Sequence, residues 1–537
     1  MTAPKPLVEH LIDALAARGV RRVFGVPGGG SSLDVIAAAR SRGIDFVLAR
    51  QETSAAIMGL ATARIEGTPG VALTTVGPGL ASAANGLACA TLDRAPLLLV
   101  SDGLAAEAAR FVTHQALDQR ALSAPLVKGH ARLEVGEDAG VLDRLLDLAM
   151  TPPHGAVHVE LTGEAARRPV ERAAAPAAAA PSAPAPAAIE AARALLACAM
   201  RPVLVVGLEA CTASAAAAAR RLAAVLDCPV LTTYQAKGVI PDTDPRAVGL
   251  FTGGTLEAPL VEAADLVVLF GVDPVELIPQ PWAYRAPVLE LGLTPRQRYY
   301  ATPAAALYGP LDRCLAELAP RAVPRGWPAD TAAAHRRRAR ARLACAAGDG
   351  VSPQRIVEIA QDAAPSDARP RVTVDAGAHM FSATAFWQCS APNDLLISNG
   401  LATMGFALPA AIAASLADRS RPVVALTGDG GLAMCLGELL TAAERRARVV
   451  VVVFNDGALS LIDIKQQARG LPTEGVRWGR ADFAGAAAAF GFAVWRARSE
   501  REYADAIVSA LRTDAPCLID VRVDPVGYRE QLKALRG

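Results

Sequence analysis

The sequence carries almost no net charge: 54 Lys and Arg stand against 53 Asp and Glu, a formal +1 over 537 residues. A nucleic-acid surface needs a marked basic excess, so that partner class is set aside, as is an anionic surface. One local exception, Arg336, Arg337, Arg338, Arg340 and Arg342, reads as a solvated helix face beside a linker. No apolar run approaches the roughly 20 residues that cross a bilayer. The strongest run, Val449 to Phe454, has the length of a buried strand, and no membrane partner is expected. The opening MTAPKPLVEHLIDAL lacks a signal-peptide apolar core. The nine cysteines include no C-x-x-C. That excludes a structural zinc site of the usual spacing and fits reduced, buried thiols in a cytoplasmic protein.

Hydrophobic residues make up 52% of the chain, much of it alanine, which supplies a large core. At roughly 100–200 residues per domain, the length suits about three domains. Two stretches read as linkers. Residues 166–187, ARRPVERAAAPAAAAPSAPAPA, are Pro and Ala without a packing pattern. A second spans 321–350 and ends in GDG. They leave blocks at 1–165, 188–320 and 351–537. Each block alternates short β-branched runs with helical stretches. VRRVFGV, IDFVLAR and GVALTTV do so in the first block, with a helix from about Glu52. RPVLVVG, CPVLTT and ADLVVLFG follow in the second, and RPVVALTG, RVVVVVFN and CLIDVRV in the third. Near-continuous apolar strands separated by helices predict an α/β fold of three doubly wound domains with parallel sheets. The middle block lacks G-x-G-x-x-G after its first strand, reading VVGLEACTA, so a dinucleotide site there has no support.

Chemistry concentrates in the third block. Gly428-Asp429-Gly430 and Asn455-Asp456-Gly457 each follow an apolar strand, and 24 residues lie between Gly430 and Asn455. LAMCLGELLTAAERR in that interval reads as a helix. The spacing is one βαβ crossover, which puts both acidic motifs at the carboxyl ends of two parallel strands, where open sheets bind ligands. Alone, each motif is an ordinary turn. Together they offer Asp429 and Asp456 as oxygen ligands for a hard cation such as magnesium. Their glycines let backbone approach a diphosphate.

With these motifs the sequence resembles the thiamine-diphosphate enzymes of the acetolactate synthase and pyruvate decarboxylase superfamily. Their cofactor motif is Gly-Asp-Gly, about 24 residues, then two polar residues. The resemblance implies Asp429 and Asp456 as side-chain metal ligands and Ala458 as a carbonyl ligand. It implies Gly428, Gly430 and Leu459 as cofactor contacts. Asp456 stands where the common motif has Asn, as in flavin-free acetolactate synthases. In the first block, Arg50-Gln51-Glu52, Val76-Gly77-Pro78-Gly79, Asp93 and Pro96 resemble the family's Arg-His-Glu, Ser-Gly-Pro-Gly and Asp-x-x-Pro. Glu52 then matches the glutamate that hydrogen-bonds N1′ of the cofactor's aminopyrimidine. Read without the family, it is a helix-start glutamate favoured by the dipole. Gln51 replaces a frequent histidine. The loop Gly25 to Gly30 resembles the loop lining the reaction centre, which makes Gly28 and Gly29 candidates. Gln115 matches a glutamine brought to the substrate. SNGLATMGF resembles the run that places a bulky residue, here Met404, under the bent cofactor; by itself Met404 is a core methionine.

The resemblance covers essentially the whole chain. It implies thiamine diphosphate and Mg2+ as cofactors, and a homodimer or tetramer with active sites at subunit interfaces. The implied reaction is decarboxylation of a 2-oxo acid with transfer of the remaining unit to an acceptor carbonyl. NDGALSLIDIKQQ departs from the biosynthetic synthases, which have tryptophan where Lys465 stands and arginine where Asp463 stands, so FAD is not expected. The alternatives are a non-ligating decarboxylase, a 2-hydroxyacyl lyase, and a catalytically degenerate binding or regulatory relative. Glu52, Asp429 and Asp456 argue against the last.

Overall fold

Runs dominated by Val and Leu become the central strands. Gly70–Thr74, Pro202–Val206, Leu266–Phe270 and Val449–Asn455 are buried from end to end, as strands covered on both faces must be. The structure is a computed structural model. It describes residues 4–134, 139–171, 184–277, 281–296, 300–322, 326–345, 348–365 and 369–537. Three six-stranded sheets organise them, and every strand pairing within those sheets is parallel. This is the three-domain doubly wound α/β architecture expected from the sequence.

The first sheet runs Asp45–Leu48, Arg22–Val26, Gly70–Thr74, Leu97–Gly103, Ala156–Thr162, Gly129–Leu133. The third runs Leu395–Ile397, Arg371–Val374, Val423–Gly428, Val449–Asn455, Cys517–Arg522, Ala493–Ala497. Numbered along the chain, both have the order 2-1-3-4-6-5, whereas the middle sheet is 3-2-1-4-5-6. In the 2-1-3 arrangement the winding reverses between the first and third strands. A crevice therefore opens at their carboxyl ends. In the third domain that point lies between Val374 and Gly428; in the first it lies between Val26 and Thr74.

The first and third domains share one apolar core. Helix Glu52–Glu66 packs on helix Ala407–Ala417, and residues of both belong to a single buried cluster with Leu80, Leu87, Leu432 and Val451. In the middle domain, where a dinucleotide phosphate would approach, the Glu276 carboxylate takes the amide of Leu208 (2.9 Å) and the Thr233 hydroxyl (2.5 Å).

Three local expectations change. The stretch read as one helix after Gly430 is two, Asp429–Met434 and Glu438–Glu444. The break at Cys435 to Gly437 turns the Glu438 carboxylate toward the first domain, where it accepts the amides of Arg50 and Gln51 at 2.9 and 3.1 Å. The arginine-rich stretch is a helix, Thr331–Leu343, inside the expected second linker. Its arginines are not uniformly solvated. Arg336 donates to the carbonyls of Asp244 and Ala247, and Arg340 lies 4.8 Å over the Phe386 ring. Around the expected first linker, helix Gly163–Arg167 and strand Pro169–Val170, which pairs with Lys5–Pro6, continue the first domain; residues 172–183 lie outside the described residues.

Candidate active site

Strands Val423–Gly428 and Val449–Asn455 lie side by side with Gly428 opposite Phe454. Their carboxyl ends therefore deliver Asp429 and Asp456 to the same edge. Asp429 opens its helix directly, its Oδ1 accepting from the Gly430 amide (2.8 Å) and its Oδ2 from the Gly457 amide (2.7 Å). Asp456 accepts the Ser460 hydroxyl. Burial first, and then the charge of Asp456, push the Asp429 carboxyl up to about 7. Burial also raises Asp456.

Met404, Gly428, Asp429, Gly430, Asp456, Ala458 and Leu459 all line one cavity of about 450 Å3, the size of a cofactor pocket. Space at Gly430 is tight: a Cβ there would sit 3.0 Å from Leu459, 3.3 Å from Trp478 and 3.4 Å from Met404. The segment ending in Trp478 closes over the second motif, with Leu459 N bonded to Val476 O and Trp478 N to Gly457 O. Those ladder bonds leave the Ala458 carbonyl outside the ladder.

Several groups here were not singled out from sequence. Asp375, fully buried at the end of strand Arg371–Val374, accepts from Gly405 N, Phe406 N and Thr427 Oγ1. It thereby fixes the Met404 turn against the Gly-Asp-Gly strand, and burial lifts its carboxyl to about 6. His379 lines the cavity, its ring 5.1 Å from Phe454, and burial lowers it to about 4. Its Nε2 is buried without a partner among the described residues. The one signal for either residue was position, just beyond a strand that ends on the same edge.

In the first domain, Gly28 and Gly77 follow the two strands of the other switch point, and Glu52 follows the neighbouring strand Asp45–Leu48. Glu52 starts helix Glu52–Glu66 and is half-buried. A Cβ on Gly28 would meet Asp102 Oδ2 at 2.2 Å and Thr75 Oγ1 at 2.3 Å, whereas Gly29 has open space around it. Gly77 has φ +64, and a Cβ there would meet the Gln115 carbonyl at 2.3 Å; Gln115 itself has φ 58. None of Gly28, Gly29, Glu52, Gly77 and Gln115 lines the Asp429 cavity within one chain.

The third-domain cluster fits a diphosphate and a divalent cation. Two buried carboxylates side by side repel until a cation lies between them. Among the described residues no group of three or more His, Cys, Asp or Glu forms a closed metal cage, so phosphate and water oxygens would complete the shell, as magnesium prefers.

Comparison with known proteins gives the same reading. The N-terminal thiamine pyrophosphate binding domain family matches residues 6–122, the central domain family 189–318, and the C-terminal thiamine pyrophosphate binding domain family 375–521. The acetolactate synthase of Bacillus subtilis (strain 168) is 30% identical over 96% of this chain and 93% of its own length. The catabolic acetolactate synthase of Raoultella terrigena is 30% identical over 97% and 95%. A probable 2-ketoarginine decarboxylase of Pseudomonas aeruginosa is 30% identical over 90% and 88%. In fold, the chain matches the thiamine diphosphate-dependent 4-hydroxybenzoylformate decarboxylase of Rhodococcus jostii RHA1 with a TM-score of 0.82, covering 97% of this chain and 99% of that one at 22% identity. The chain belongs to the thiamine pyrophosphate enzymes and is an acetolactate synthase-like, thiamine-diphosphate-dependent member of that superfamily.

Proposed function

We propose that this enzyme decarboxylates a 2-oxo acid and joins the remaining acyl unit to an acceptor carbonyl, as an acetolactate synthase does. The buried Asp429–Asp456 pair on the cavity edge carries the reading, and likeness to two acetolactate synthases along nearly the whole chain supports the ligating outcome. When bound, thiamine diphosphate supplies the nucleophile and the electron sink for loss of carbon dioxide. Asp429, Asp456 and the Ala458 carbonyl would hold Mg2+, and Gly428 and Gly430 would admit the phosphates. Met404 and Leu459 line the cavity and would give the cofactor rings an apolar wall. Glu52 would hold a proton for the cofactor's aminopyrimidine, and Gln115 would donate a hydrogen bond to the substrate oxygen. Gly29 leaves room for the reacting carbonyl.

Because Glu52 does not line the Asp429 cavity within one chain, the complete site forms between two subunits, the first domain of one copy meeting the third domain of its partner. Glu52→Gln and Asp429→Ala chains, each inactive alone, regain activity when co-assembled, since one of the two sites is then intact. No recovery in the mixed dimer overturns the shared site. Product analysis tests the reaction: with Mg2+, thiamine diphosphate and pyruvate, the expected product is acetolactate. Release of free acetaldehyde alone supports the second reading, a simple decarboxylase, which the likeness to the 2-ketoarginine enzyme favours.

A further inference from the structure

A second cavity, of about 390 Å3, lies between the middle and third domains. Leu231, Val248, Leu343 and Trp387 give it apolar walls, and helix Thr331–Leu343 brings His335, Arg336, Ala339 and Arg340 to it. The proposed reaction does not use it. Most of its charges are already answered. Lys237 and Asp242 pair at 2.8 Å, and Arg340 reaches Glu358 at 3.4 Å. Burial lowers His335, which leaves it uncharged near neutral pH. Arg336 and Glu257 differ, because neither has an ion pair among the described residues. Arg336 uses Nη1 on the carbonyls of Asp244 (3.3 Å) and Ala247 (2.8 Å), and its Nε and Nη2 have no partner among those residues. Glu257 is only 3% exposed. Its Oε1 accepts the amides of Thr252 (2.5 Å) and Gly254 (3.0 Å), whereas its Oε2 is buried without a described partner. A buried carboxylate oxygen is costly to leave unpaired, so it points to a donor from outside the chain.

One unpaired cation and one unpaired carboxylate on the lining of an apolar cavity complement a zwitterion. We propose that this cavity binds an α-amino acid with a large apolar side chain, its carboxylate on Arg336, its ammonium on Glu257 and its side chain against Leu231, Val248, Leu343 and Trp387. Both ionic contacts are charge-assisted hydrogen bonds. The position of the cavity makes the ligand an effector. Helix His379–Phe386 reaches both cavities: His379, Met380 and Phe381 line the Asp429 cavity, and Thr384 and Ala385 line this one. Helix Val526–Arg536 does the same, with Tyr528 and Arg536 at the first and Leu535 at the second. The loop that Glu257 holds is also bonded to the end of that helix, Thr255 N to Leu535 O (3.1 Å) and Thr255 Oγ1 to Ala534 O (2.6 Å). A ligand on Glu257 therefore bears on two helices that line the cofactor cavity. Amino acid and cofactor then change each other's affinity by the same factor. The binding is independent of the reaction proposed above; the coupling rests on the Asp429 cavity holding thiamine diphosphate.

Calorimetry on the full chain tests the site with L-phenylalanine and L-methionine. Three fragments serve as controls: 3-phenylpropionate lacks the ammonium, 2-phenylethylamine lacks the carboxylate, and glycine lacks the side chain. The two amino acids bind, and each fragment binds more weakly by roughly 10- to 100-fold, the loss of one charge-assisted bond or of the apolar contact. Glu257→Gln keeps an oxygen for the Thr252 and Gly254 amides. It weakens L-phenylalanine by a similar factor and leaves 3-phenylpropionate unchanged. Arg336→Met weakens L-phenylalanine and leaves 2-phenylethylamine unchanged, and Arg336→Lys restores part of the affinity. Ala339→Phe fills the cavity and abolishes binding of both amino acids while thiamine diphosphate still binds. Failure of both amino acids to bind wild type at millimolar concentration overturns the site. So does 3-phenylpropionate binding as tightly as L-phenylalanine, or an equal L-phenylalanine Kd in wild type and Glu257→Gln. The titration is then repeated with Mg2+ and thiamine diphosphate present, and an L-phenylalanine Kd that the cofactor leaves unchanged overturns the coupling. Wild type that binds no thiamine diphosphate instead marks a failure of the cofactor site assigned above, and the amino-acid titrations still read the binding proposed here.

Discussion

Asp429 and Glu52 put opposite demands on the protein. Asp429 is held beside Asp456 in a buried edge that raises its carboxyl to about 7, so the cofactor-free site is strained by its own charges. Asp429→Asn is expected to leave the cofactor-free protein at least as stable as wild type. It should abolish the rise in thermal midpoint that Mg2+ with thiamine diphosphate gives. A normal rise in that variant means the metal lies elsewhere. Glu52, half-buried at its helix start, has no structural duty of that kind. Glu52→Gln should therefore fold and bind cofactor normally while losing roughly 10²–10⁴-fold in turnover, the usual worth of acid–base help. The two aspartates were legible because two weak motifs at crossover spacing constrain each other. Asp375 and His379 were not, because their partners, Gly405, Thr427 and Phe454, come from remote stretches of chain.

At the scale of elements, helix Ser31–Ser41 begins at Gly30, which has no side chain to cap it. The cap comes from another strand: Asp102 accepts from Ser32 N (2.6 Å), Ser32 Oγ (2.8 Å), Ser31 Oγ (2.8 Å) and Gly30 N (3.3 Å). Asp102→Ala takes the acceptor from the Ser32 and Gly30 amides, while Ser31 Oγ keeps the Leu161 carbonyl at 2.7 Å, and is expected to cost about 1–3 kcal/mol in chemical denaturation. Gly28→Ala drives a Cβ into the same carboxylate and should cost about 1–3 kcal/mol. Gly29→Ala, with nothing within 4 Å, should cost nothing. Equal stabilities for the two alanine variants would contradict the role given to Asp102. Such a cap lies some 70 residues from the helix it serves, beyond any local pattern. The apolar strands were readable because burial on both faces leaves a continuous signature, as in Val449–Asn455. The sheet-edge strand Gly129–Leu133 is only half-buried and mixes Gly, His and Arg with Leu, so it looks like a loop. The helix broken at Cys435 to Gly437 read as continuous because its break serves a contact with Arg50 and Gln51 in another domain.

For the whole molecule, buried titratable groups of opposite kind set how stability responds to pH. Burial lowers His154 to about 4, His158 to about 3 and His379 to about 4. The unfolded chain takes up these protons near pH 6.5, so the histidines make stability fall as pH drops below that value. Burial raises Asp375 to about 6, Asp429 to about 7 and Glu276 to about 8. Folding then holds protons that the unfolded chain has lost, so the carboxyls make stability fall as pH rises from about 4 toward those values. Between about pH 4.5 and 6 the two sets oppose each other and the profile is shallow. Above 6.5 the histidines are neutral in both states and no longer compensate. Among these groups Glu276 then holds most of the extra protons of the folded state between 7 and 8, with a declining share on Asp429. The cofactor-free, metal-free protein should therefore lose stability across that interval, with a slope on the order of 1 kcal/mol per pH unit for one proton. Glu276→Gln keeps an oxygen for the Leu208 amide and should flatten the slope, as read from denaturation midpoints taken between pH 5 and 8.5. Stability that climbs from pH 7 to 8 in the wild type, or a slope unchanged in Glu276→Gln, means that the Glu276 carboxyl is ionised in the folded protein, and that the middle-domain crevice holds a charge available to a ligand.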